Sequence, residues 1–98
     1  MTHTQAVDAI GQGYRFAQRG MSWEQVLALL EIRRLNLRHK CAWEAVNSRP
    51  MPDDEVSRLD RIQYSTWLRA RDIAARHGWQ IDAPGLFWVV SDGQGDIS

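Results

Sequence analysis

Residues 22–40 read SWEQVLALLEIRRLNLRHK, and the fold depends on whether this stretch is one helix or two short ones joined at Glu31-Ile32-Arg33. A turn there would let Arg34, Asn36, Arg38, His39 and Lys40 project from a short second helix. Without it, the same side chains are the solvated flank of a longer helix. No glycine or proline interrupts the stretch. At about 100° per residue, Leu37 and Cys41 fall on one side, while Leu35, Ala42 and Val46 fall on another. A single inward stripe does not run through both halves, and this break in phase places a hinge near Ile32.

The flanks supply boundaries. Ser22 with Gln25 three residues on forms a capping box, and Met21 is placed to staple onto the first turns. Val26, Leu27 and Leu30 supply the buried face of a helix over residues 22–30, and a second helix covers 34–47. Upstream, Val7, Ile10, Tyr14 and Ala17 recur at helical spacing, which predicts a helix over 4–18 ended by Gly20. Downstream, NSRPMP is a loop, because Arg49 and Met51 precede prolines. Asp53 caps the next helix, with Asp54 and Glu55 at its positive end. That helix runs over 53–77 with Val56, Leu59, Ile62, Thr66, Ala70, Ile73 and His77 as its inward stripe. Tyr64 and Leu68 lie on a second side, and Gly78 stops the helix.

The period then changes. Residues 79–82 and 86–90 flank APG, where Pro84 and Gly85 suit the centre of a type II turn, so 79–90 is read as a β-hairpin. A lone hairpin is marginal in water and has to pack on the helices or on another chain. Residues 91–98 read as a loose tail. The expected fold is thus mainly α: a single four-helix helix-turn-helix domain with a C-terminal β-hairpin.

Composition narrows the function. Ninety-eight residues with 44% hydrophobic and 24% charged side chains fit one small globular domain. Five tryptophans are many for this length, and an exposed one would mark an interface. The net charge is zero, but it is unevenly spread. Between residues 31 and 49, five basic side chains (Arg33, Arg34, Arg38, Lys40, Arg49) face two acidic ones (Glu31, Glu44). After Gly78 only Asp82, Asp92 and Asp96 are charged. The lone Cys41 excludes an internal disulfide and points to a reducing, cytoplasmic setting. No signal peptide or membrane span is read from the chain.

Enzymatic activity is not expected. His3, His39 and His77 are too isolated to suggest a metal site, and no serine or cysteine sits in a nucleophile motif. DDE at 53–55 is most simply a helix start. GQGYRF follows no strand and lacks the third glycine of a phosphate loop. No cofactor or metal is implied.

Residues 20–56 resemble the helix-turn-helix of bacterial and phage regulators. GMSWEQVLALLEI is similar to the opening helix of that motif, and RRLNLRHKC resembles the recognition helix of Fis-type proteins, with Leu37 and Cys41 as inward anchors. WEAVNSRPMPDDEV is similar to the segment that follows the recognition helix in Cro/CI-type repressors. Glu31 stands where those families usually have a turn glycine, and Leu27 where they have a small residue. The resemblance implies a cytoplasmic, dimeric, sequence-specific DNA-binding regulator, a repressor of phage or plasmid type. Its helix after Ile32 would lie in the major groove of double-stranded DNA. Arg33, Arg34, Asn36, Arg38 and His39 would then read base edges, while Lys40, Arg49 and Arg15 would touch phosphates. Tyr64, Trp67, Leu68 and Trp88 are candidates for a homodimer interface, although packing within the monomer would also satisfy them. The rival reading is a small protein-binding module or inhibitor that docks through its tryptophans and the C-terminal hairpin.

Overall fold

A computed structural model describes residues 20–93 and 95–97. The helix expected over residues 4–18, and Arg15 with it, lie outside the described residues. Two α-helices, α1 (Trp23–Ser48) and α2 (Asp53–Arg76), are followed by two short strands, β1 (Gln80–Asp82) and β2 (Val89–Ser91). The four-helix helix-turn-helix is therefore corrected: the described residues hold two helices and a two-stranded antiparallel hairpin.

The main correction falls on residues 22–48. The chain does not turn at Ile32 but continues as one 26-residue helix. The capping box at its start forms as read: the Gln25 amide N–H donates to Ser22 Oγ at 3.2 Å, and the Ser22 N–H donates to Gln25 Oε1 at 2.9 Å. It ends where Arg49 becomes extended ahead of Pro50. The side chains pointing inward are Val26, Leu29, Ile32 and Leu35, all buried. Leu27, expected to be inside, is 62% exposed, and Leu37, expected to be an inward anchor, is 53% exposed. Cys41 is exposed as well.

The apparent break in phase has a different cause. Trp23, Leu27, Leu30, Arg34, Leu37 and Cys41 fall within about 40° of one line along α1. The buried residues centre on Ile32, about 180° away. A straight helix with apolar side chains on both faces gives the same mixed signal as a bent helix with one apolar face.

The four-residue connection after Ser48 folds α2 back antiparallel to α1 as a helical hairpin. The Arg49–Glu55 ion pair (3.6 Å) closes the turn. Asp53 is the first helical residue rather than the cap. The Glu55 and Val56 amides bond to the Pro52 carbonyl, and the first-turn carboxylates meet the helix's positive end. The inward stripe of α2 is as read: Leu59, Thr66 and Ala70 are buried, with Val56, Ile62, Ile73 and His77 half-buried. Ala70 and Ala74 are fully enclosed, so α2 presents little side-chain bulk to Leu29, Ile32 and Leu35. Gly78, at φ +70°, ends the helix: the Trp79 N–H donates to the Ala74 carbonyl and the Gly78 N–H to that of Ala75. This reversal delivers Trp79 into the core.

The hairpin pairs Gln80 with Ser91, Ile81 with Val90 and Asp82 with Val89. Its second strand begins later than expected. Gly85 has no positive φ, so the Pro84-Gly85 centre of a type II turn does not form. Residues 83–88 make a wider loop, which is fastened to α1. The tail is not loose: the Ile97 N–H donates to the Val90 carbonyl at 2.8 Å, Ser91 bridges to Asp96, and Ile97 packs against the core. Trp79, Trp88 and Val90 thus cap the helical hairpin with one shared core.

Candidate functional site

The polar residues of α1 expected to read DNA do not share a face. Taking about 100° per residue, Arg34 and Arg38 lie on the outward side, whereas Asn36 and His39 lie on the core side, at least about 100° from either. Each has its own surroundings. Arg34 reaches back one turn to Glu31 with two hydrogen bonds, at 2.9 and 2.7 Å. Those bonds, more than the charge itself, hold the Glu31 carboxyl below its ordinary range, and Arg69 of α2 adds to the effect from 4.0 Å. Arg33 is half-buried and Arg38 exposed.

Asn36 is buried and holds the hairpin. Its Nδ2 donates to the Leu86 carbonyl at 2.8 Å, and its Oδ1 accepts from the Trp88 N–H at 2.9 Å. A carbonyl needs a donor and an N–H needs an acceptor, so the orientation of the amide is forced. The same bonds explain why β2 starts only at Val89: the backbone at Leu86 and Trp88 is already engaged. His39 lies edge-on to Trp88, with ring centroids 5.1 Å apart. Burial lowers its pKa by penalising the imidazolium, and its Nδ1 finds no hydrogen-bond partner among the described residues.

The phosphate-contact candidates are also engaged. Lys40 sits 4.9 Å above the Phe87 ring and 3.7 Å from Glu44, while Arg49 pairs with Glu55. Of the dimer candidates, Trp88 is buried in the core, and Trp67 packs edge-on against it at 5.2 Å. Tyr64 and Leu68 are exposed, one turn apart on the outer side of α2.

A further feature is the outward stripe of α1. Trp23 (64% exposed), Leu27, Leu37 and Cys41 form a solvent-facing row, with Leu30 half-buried between them. Positions 23, 27, 30, 34, 37 and 41 are spaced 4-3-4-3-4, the alternation by which one helix seats against another. Apolar side chains repeated on the outside of a small protein are unusual without a partner. The spacing was visible in the sequence, but reading Leu27 as core concealed it; Leu30, read the same way, does pack against the core while lying in the row.

A cleft of about 380 Å³ opens beside Gly20, Met21, Gln25, Trp79 and Ile97, with Asp92 and Asp96 at its edge. It brings together no nucleophile and base, and Gln25 is committed to the helix cap. Among the described residues no three His, Cys, Asp or Glu side chains are grouped to hold a metal. No helix among them is long and apolar enough to cross a membrane. Compared with known proteins, the chain matches no family model, no curated protein and no solved structure.

Proposed function

We propose that the protein is a protein-docking module that engages its partner through the outward face of α1. The observation that carries this reading is the exposed row of Trp23, Leu27 and Leu37 on a continuous helix whose other face packs on the core. Tryptophan is among the commonest interface anchors, and leucines beside it on a preformed helix add apolar area with little loss of conformational freedom. The reading is preferred to operator recognition because the five side chains that would read bases are spread around α1. Asn36 is tied to the hairpin and His39 packs on Trp88.

Two parallel experiments on the full chain test it. Selection from random duplexes is expected to enrich no sequence. Capture of a protein partner, a second copy of the chain included, is expected to persist as salt rises and to be lost in Leu27→Glu. An enriched duplex whose binding weakens steeply with salt would overturn the reading in favour of phosphate-driven recognition.

A further inference from the structure

The outward row of α1 is self-complementary. Reversed end to end about Ile32, it maps onto itself: position 23 onto 41, 27 onto 37, and 30 onto 34. An isologous contact needs this property, since residue i must meet j while j meets i. We infer that the partner of this face is a second copy of the chain, with the two α1 helices packed antiparallel about a two-fold axis that crosses the outward row at the level of Ile32. The inference rests on the docking reading above and names its occupant.

Each layer is sterically reasonable. Trp23 of one copy meets the small Cys41 of the other, so the largest side chain faces one of the smallest. Leu27 meets Leu37. Leu30 meets the aliphatic stem of Arg34, whose guanidinium is drawn aside by Glu31. Six layers spread along about 27 Å of helix are enough for a continuous seam.

The outer charges on one flank of the seam are complementary, while the central positions, Glu31 on that flank and Arg33 on the other, meet their own copies. In an antiparallel pair, the residue following one core position faces its equivalent on the partner, which sets Glu24 opposite Arg38 on both sides of the axis. Both are exposed, and among the described residues neither has an ion-pair partner within its own chain. The two copies of Glu31 come near the axis, where each carboxylate is already neutralised by Arg34 and Arg69.

Sedimentation equilibrium of the full chain at micromolar concentration tests the inference. The expected mass is about twice 11.3 kDa. Leu27→Glu and Leu37→Glu should each weaken association at least about tenfold, with unchanged helical content at low concentration. Glu24→Arg alone and Arg38→Glu alone should each weaken it, and the two together should restore it. Under mild oxidation, Trp23→Cys should link residue 23 of one copy to Cys41 of the other. A Cys41–Cys41 link, a dimer that survives both glutamate variants, or a charge swap that fails to restore association would overturn the arrangement. A monomer would overturn it too, whether the row is covered by residues 1–19 of the same chain or by nothing. In that case docking of a different protein would still stand and would be decided by the capture experiment.

Discussion

Asn36 joins two parts of the chain that are fifty residues apart. Its amide satisfies one carbonyl and one N–H inside the fold, and removing it leaves both without a partner. Asn36→Ala should therefore destabilise the protein by about 2–3 kcal/mol in chemical denaturation, and the Trp88 amide should exchange faster. A loss under about 0.5 kcal/mol would mean that water replaces the amide easily. His39 gives a pH signature. Its folded pKa is depressed, so the native state holds the ring neutral while the unfolded chain takes up a proton near pH ~6.5. Stability is full above that value and falls as pH drops from it through the folded pKa. His39→Phe, which keeps an aromatic edge on Trp88, should flatten the fall in melting temperature between about pH 7 and pH 5. An unchanged slope would place the effect on another group. Neither role was legible from the sequence. A polar residue among arginines reads as solvated, and the backbone groups that claim Asn36 lie far away along the chain.

At the scale of elements, most local signals held, the Asp53 cap and the Pro84-Gly85 turn excepted, and the long-range one misled. The Ser22–Gln25 cap, the extended break at Arg49–Pro50, the stripe of α2 and the stop at Gly78 each depend on a few neighbouring residues, and each formed where the sequence placed it. The hairpin was legible too, but its second strand was not, because Asn36 takes the backbone at Leu86 and Trp88. The continuity of α1 was missed because its two apolar rows face opposite ways. Periodicity reports where apolar residues recur; it does not say how many surfaces they serve. Glu31 offers a direct comparison of the two readings. In a continuous helix, Glu31→Gly should be less stable than Glu31→Ala by about 1 kcal/mol, since both lose the pairs to Arg34 and Arg69 and only the backbone differs. At a tight turn, the glycine variant would be the more stable of the two.

For the molecule as a whole, one long helix serves two surfaces. Its inner face gathers α2 and the hairpin into a single core, with Leu29, Ile32, Val26 and Val90 as its most enclosed large side chains. Its outer face carries the exposed Trp23, Leu27 and Leu37. A bent α1 would lose both properties at once: the outer row would break at Leu30, and the basic segment after Ile32 would swing free. The straightness of α1 is therefore the claim on which the functional reading rests. Spin labels attached through Glu24→Cys and Asn47→Cys, in a Cys41→Ser background diluted with unlabelled protein, measure it by pulsed electron resonance. A continuous helix sets the two backbone positions about 35 Å apart, with a narrow distribution. A separation near 25 Å, as expected for two helices crossing at a wide angle about Ile32, would contradict it.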